Sequence, residues 1–196
     1  MAADRPGRLA LTLTVIVVVL ASAAGLAAAA VTYDGPPEDY AAYQPQTTCR
    51  KTPRPGTREL ARWIDRTYAG GAATASMRPC RSGGTSEHKD GRAIDWAMDA
   101  SRKKDRRTVR RFLTHVFATD PDDNRHAVAR RMGIMYVIWN DHMWASYRSF
   151  AKRDYLSSAC KSLKRCSPTL RHRDHVHISL SRRGARGLTS WYVARD

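Results

Sequence analysis

The segment His175-Val176-His177-Ile178-Ser179-Leu180 constrains this chain more than any other. Its polar and apolar residues alternate strictly. That is the period of a β-strand, in which successive side chains point to opposite faces. Val176, Ile178 and Leu180 form a face suited to a core. His175, His177 and Ser179 form the other. Two histidines two residues apart on a strand point into the same space, so the segment predicts a sheet and a site together.

Arg92–Met98 reads as a second strand. Ala93, Asp95 and Ala97 share one face, and Ile94, Trp96 and Met98 the other. A further strand is expected near Ala73–Arg78, and a buried one over Met135–Asn140. Helical spacing appears elsewhere. Thr57 is placed to cap a helix to about Tyr68, with Leu60, Trp63 and Ile64 on one face and Gly70-Gly71 ending it. Val109, Phe112, Leu113, Val116 and Phe117 stripe a helix from Lys103 to Ala118. A shorter helix is expected from Asp123 to Met132. Residues 141–170 show no period and read as irregular. No internal repeat is present. Helices mixed with a few strands predict an α+β domain with a small antiparallel sheet flanked by helices.

The N-terminus predicts export. Arg5 and Arg8 precede the apolar run Leu9–Ala21, and the segment ends in Ala27-Ala28-Ala29-Ala30. Residues 1–30 therefore read as a signal peptide, or as an anchor on the outer face of the membrane if uncleaved, since Leu9–Ala30 is long enough to span a bilayer. Residues 31–56 carry five prolines (Pro36, Pro37, Pro45, Pro53 and Pro55) and read as an extended linker. Four cysteines, Cys49, Cys80, Cys160 and Cys166, with no C-x-x-C spacing, favour disulfides over a structural zinc in an exported protein. Of three connectivities, Cys49–Cys80 and Cys160–Cys166 pair nearest neighbours. The net charge is +16, of which the first thirty residues contribute one unit (Arg5 and Arg8 against Asp4). The remaining excess suits an anionic neighbour such as a wall polymer, or simply a solvated arginine-rich surface. The run from Arg102 to Arg111 reads the same two ways.

The chemistry lies in two distant motifs, Ser86-Glu87-His88-Lys89-Asp90-Gly91-Arg92-Ala93-Ile94-Asp95 and His172-Arg173-Asp174-His175-Val176-His177. Together they offer imidazoles and a carboxylate, the donor set of a catalytic zinc with three protein ligands and an open position. Such an ion activates water and polarises a carbonyl.

The pattern Ser86-x-His88-x-x-Gly91-x-Ala93-x-Asp95 resembles the signature of the D-Ala-D-Ala metallopeptidases, a grouping that includes D,D-carboxypeptidases, murein endopeptidases and the hedgehog signalling domain. The closing His-x-Asp-His-x-His looks most like the endopeptidase branch. The string from Gly133-Ile134 through Val137-Ile138-Trp139-Asn140, with Trp144, resembles exported hydrolase-like actinobacterial proteins. The likeness spans roughly residues 57–181 and implies a hedgehog/DD-peptidase-like fold over a catalytic domain at 57–196. It implies one Zn2+ per chain held by His88, Asp95 and His177, with Ser86 supporting the loop; His172, just before the strand, reads separately as a residue behind the ligands. His175 would sit beside the metal as a proton carrier or transition-state stabiliser. The carboxypeptidases place a Glu three residues before the last ligand; this chain has the shorter Asp174, so the base is either Asp174 or His175. Arg78 or Arg81 would bind a substrate carboxylate or carbonyl.

The expected activity is hydrolysis of peptidoglycan peptides, with anionic wall polymers as neighbours and no specific nucleic acid. An inactive metal-containing wall-binding module is the alternative. No nuclease motif supports a third reading. The six residues between His88 and Asp95 argue against the His-x-Asp/Glu start of a non-haem iron oxygenase. His115 and His126 read as structural, and His142 as a lesser candidate for the cleft.

Overall fold

A computed structural model describes residues 31–195. The predicted export segment, residues 1–30, lies outside the described residues. Among those described, no helix is long and apolar enough to cross a membrane.

The protein is α+β. Its strands are β1 (Ala73–Thr74), β2 (Ala93–Trp96), β3 (Ile134–Trp139), β4 (His142–Ala145), β5 (Lys152–Asp154) and β6 (Val176–Leu180). They form one open sheet in the order β1-β2-β6-β3-β4-β5, with every neighbouring pair antiparallel. The helices are α1 (Pro55–Thr67), α2 (Lys103–Val116), α3 (Ala127–Arg131), α4 (Arg182–Ala185) and α5 (Ser190–Val193).

The predicted alternation decides what each sheet face does. Ile94 and Trp96 of β2, Val137 of β3, and Val176, Ile178 and Leu180 of β6 are fully buried in one apolar cluster. Against them pack Leu60 and Ile64 of α1, and Val109, Phe112 and Val116 of α2. Each such side chain contributes about 1.5–3 kcal/mol by leaving water. The cations Lys103, Lys104, Arg107, Arg110 and Arg111 occupy the exposed side of α2. A register shift between Ile134 and Tyr136 inserts a bulge in β3. Met135 and Tyr136 thereby join Ile138 in a second cluster, separate from the one that holds Ile134 and Val137.

Some boundaries differ from the sequence reading. Pro55 starts α1, and its fixed φ suits the first helical turn. Thr57 is therefore inside the helix, fully buried, and its hydroxyl donates to the Gly91 carbonyl at 2.8 Å. The region 141–170 is not wholly irregular, since it contributes β4 and β5. Two four-residue helices close the chain, too short for periodicity to reveal.

Residues 31–54 carry neither helix nor strand, and the compact unit begins at Val31. Their contacts are specific. The buried Arg92 guanidinium donates to the Gln44 carbonyl at 2.7 Å and to Asp90 Oδ2 at 2.9 Å. Asp90 in turn accepts from the Thr48 amide and hydroxyl at 2.8 and 2.6 Å. The segment therefore binds the back of the turn that carries His88. The disulfides are Cys49–Cys80 and Cys160–Cys166.

Candidate metal centre

Asp95 on β2 and His177 on β6 are register partners. The pleat therefore puts both on the sheet face opposite the apolar cluster. His88 comes from the turn that precedes β2. Ser86 shapes that turn: its carbonyl accepts from the Lys89 amide at 3.0 Å and its hydroxyl from the His88 amide at 3.4 Å. Gly91 ends the turn at φ +68°, where a Cβ would stand 2.9 Å from the Thr52 carbonyl oxygen. Only glycine meets both conditions without strain.

Three donor atoms converge. His88 Nε2 lies 3.1 Å from His177 Nδ1 and 3.2 Å from Asp95 Oδ1, and His177 Nδ1 lies 3.2 Å from the same oxygen. The remaining polar atoms are engaged outside the triangle. His88 Nδ1 donates to the Ser76 carbonyl at 3.0 Å, and the Ser76 hydroxyl donates to Asp95 Oδ2 at 2.9 Å. His177 Nε2 is hydrogen-bonded to the Ser179 hydroxyl at 2.8 Å. These outer bonds turn His88 Nε2 and His177 Nδ1 toward the centre, the usual way protein structure orients metal-binding histidines.

The triangle fits zinc. Ligand bonds of about 2.0–2.1 Å in a tetrahedron give edges of about 3.3–3.4 Å. Nitrogen and carboxylate donors match the ion's preference, and among the described residues these three form the candidate metal-holding group. The electrostatics agree. Burial works against an ionised Asp95, but hydrogen bonds from His177 and His88 hold its carboxyl well below the usual range. Burial lowers the pKa of His177. Burial opposes charge on His88 too, yet Asp95 and the Ser76 backbone raise its pKa.

The centre sits in a cleft of about 670 Å3. One wall is the 76–88 segment, pinned by Cys49–Cys80; the other is Tyr155–Ala159 with Thr169 and Leu170, on either side of the Cys160–Cys166 loop. Arg78 lines the cleft, while Arg81 is exposed and outside its walls. His175 also lines it, with Nε2 3.7 Å from Asp95 Oδ1. Its Nδ1 donates to Asp174 Oδ1 at 2.7 Å, and Asp174 Oδ2 accepts from the Thr169 hydroxyl at 2.5 Å. Asp174 itself is exposed and is not part of the cleft wall. His172 adopts φ 51° and packs its ring 4.8 Å from His175 and 5.6 Å from His177. Burial, then the neighbouring His177 and His175, push its pKa down to about 3, so the ring is neutral. Its Nδ1 is buried with no hydrogen-bond partner. His142 is outside the cleft, 3.7 Å from Asp154, and His115 and His126 bond the hydroxyls of Tyr68 and Tyr40.

The sequence model of the family described as VldE, C-terminal domain, matches residues 49–165, more than half of the chain. The chain belongs to this family. Comparison with curated proteins and with solved structures finds no match. The span matched to the VldE C-terminal domain includes His88 and Asp95 and ends before β6. The third donor, His177, therefore comes from a strand beyond it.

Residues around the centre that the sequence did not single out are Ser76, Thr169, Tyr136 and Glu87. Tyr136 is a register partner of Ser179, and its hydroxyl donates to Glu87 Oε2 at 2.7 Å. Glu87 adjoins His88 in the motif, but nothing in the sequence pairs it with a tyrosine on a distant bulged strand.

Proposed function

We propose that the chain is an exported zinc-dependent peptidase that cleaves peptidoglycan stem peptides or cross-links. The observation that carries this reading is the triangle of His88 Nε2, Asp95 Oδ1 and His177 Nδ1, with edges of 3.1–3.2 Å, within an open cleft. Two disulfides fit an oxidising compartment outside the cytoplasm. A donor pair on adjacent antiparallel strands, with a third donor from the turn before them, supports kinship with the D,D-peptidase and hedgehog fold.

A zinc ion held by these three residues would supply Lewis acidity and a water of lowered pKa. The protein's own groups divide the remaining work. Arg78 presents a guanidinium on the cleft wall for a substrate carboxylate. His175 is the proton carrier, because its Nδ1–H is spent on Asp174 and its Nε2 faces the centre. Asp174 then orients His175 and does not itself act as base, since Thr169 and His175 occupy its two oxygens. The net positive charge favours encounter with an anionic wall.

The same engagement of Asp174 favours one second reading, a wall-binding module that holds metal without turnover. Digestion of purified peptidoglycan followed by mass spectrometry separates the two. The peptidase reading expects peptide products that fall at least a hundredfold in His175→Ala and about tenfold in Asp174→Asn. Metal-loaded protein that binds peptidoglycan and releases nothing would establish the module instead.

A further inference from the structure

Glu87 is a buried acid to which the proposed chemistry gives no task. It is only 6% exposed, and it lines the cleft beside His88. Its backbone is fixed, because its carbonyl accepts from the Arg92 amide at 2.9 Å. One carboxylate oxygen, Oε2, accepts from the Tyr136 hydroxyl at 2.7 Å. Among the described residues no donor reaches the other oxygen, Oε1, and Glu87 belongs to no ion pair. Tyr136 also lines the cleft, and its ring stacks on His177 with centroids 5.6 Å apart and planes at 20°. The Glu87–Tyr136 pair is thus joined to the metal centre at both ends, through His88 in the chain and His177 in space.

A buried carboxylate without a cation is costly. Cations are not scarce here, since the chain has 34 Lys and Arg against 18 Asp and Glu. The two buried cations nearest in sequence are committed elsewhere. Lys89 Nζ donates to the Ser82 and Gly84 carbonyls at 2.5 and 2.7 Å. The Arg92 guanidinium donates to Asp90 and to the Leu180 and Gln44 carbonyls. Glu87 therefore keeps its charge for the cleft. A group that brings both positive charge and N–H donors from the cleft would complete it. An alkylammonium brings three donors and a full charge, whereas an acylated amine brings one donor and no charge. Arg78 lines the same cleft, so the cleft offers a site for each sign of a zwitterionic peptide.

We infer that Glu87 is a specificity-determining residue: its carboxylate, held at Oε2 by Tyr136, binds a free ammonium of the substrate beside the metal centre. The inference deepens the peptidase reading and rests on it for the bond that is cleaved, but the ammonium site is a matter of binding and is testable without turnover. A stem peptide can offer this chemistry from two sources, the side-chain ammonium of a diamino acid residue or the α-ammonium of a free N-terminus. Either would make the same charge-assisted hydrogen bond to Oε1.

The test uses the oxidised protein and three synthetic stem peptides of one sequence that contain a diamino acid residue. The first has the side-chain amine free and the N-terminus acetylated, the second the reverse, and the third has both acetylated. Dissociation constants are read by calorimetry on metal-free protein, and cleavage by mass spectrometry after zinc is added. One free-amine peptide should bind about 10–100-fold more tightly than the doubly acetylated one, and its identity names the source of the ammonium. Glu87→Gln should abolish that preference and leave the affinity for the doubly acetylated peptide within twofold. Tyr136→Phe releases Oε2 and should reduce the preference in part; it carries the test if Glu87→Gln does not fold. Equal binding of all three peptides by the wild type, a preference unchanged in the folded variants, or an equal loss on all three peptides in Glu87→Gln overturns the inference. A preference that Glu87→Gln removes, with no peptide cleaved, overturns the peptidase reading and leaves the ammonium site standing. Cleavage of all three peptides at equal kcat/KM supports the peptidase reading and overturns the inference.

Discussion

The two faces of the central sheet come from the same strands and do opposite work. On β6, Val176, Ile178 and Leu180 are fully buried among aliphatic and aromatic neighbours, while His177 and Ser179, one residue away, are buried among polar ones. β2 repeats the division, with Ile94 and Trp96 on one side and Asp95 on the other. The apolar face needs only volume and hydrophobicity, so its substitutions should change stability and leave donor geometry alone. The polar face needs particular atoms at particular positions. Its substitutions should change ligand chemistry more than stability.

The largest effect expected on the apolar face is that of Trp96→Ala. Trp96 is fully buried, and its removal should cost about 3–5 kcal/mol, read as a lower urea midpoint. The fraction that remains folded should still bind metal one to one; loss of metal at full folding would mean that the faces are not independent.

Asp90→Asn tests the back of the His88 turn. Asp90 and Arg92 form an ion pair at 2.9 Å with almost no exposure, and breaking such a pair costs about 3 kcal/mol or more. Burial opposes ionisation of Asp90, but Thr48 and Arg92 lower its pKa below 3.8. A depressed carboxylate contributes stability that is complete above the unfolded value and is lost as pH falls through it toward the folded value. Acid unfolding of the wild type should therefore steepen below about pH 4, and Asp90→Asn should flatten that limb. An unchanged acid limb would remove Asp90 from the account.

Ser179→Ala and Ile178→Val sharpen the comparison at adjacent positions. Ser179→Ala should weaken zinc about tenfold, or about 1.4 kcal/mol, with little change in the metal-free urea midpoint. Ile178→Val should cost about 1 kcal/mol of stability and leave zinc affinity within twofold. The reverse pattern would contradict the assignment of faces. The smallest effect expected is a pH trend in zinc affinity. The His88 pKa is raised above 6.5, and only the neutral ring is a ligand. Affinity should weaken as pH falls through that region, and chelator competition between pH 8 and 6 would measure it.

Much of this was legible in the sequence because alternation is a local signal. The strands around Asp95 and His177 and the helices at Leu60 and Val109 all announce themselves by period. Both disulfides join nearest neighbours. What stayed hidden depended on partners distant in sequence. β5 is Lys152-Arg153-Asp154, entirely exposed at the sheet edge, so it has no apolar pattern to read. Thr57 resembles a cap, yet its hydroxyl serves the Gly91 carbonyl across the fold. Tyr136 meets Glu87 and Ser179 only because of a bulge. The resemblance offers Asp174 as a possible base, and the engagement of its two oxygens by Thr169 and His175 is not legible in the sequence.

The central claim is that His88, Asp95 and His177 hold a metal ion. Elemental analysis of the folded, oxidised protein, beside His177→Ala of matched circular dichroism, tests it most directly. The account predicts one zinc per wild-type chain and less than a tenth of that in the variant. No bound metal in the wild type after incubation with zinc, or equal metal in both proteins, would contradict it.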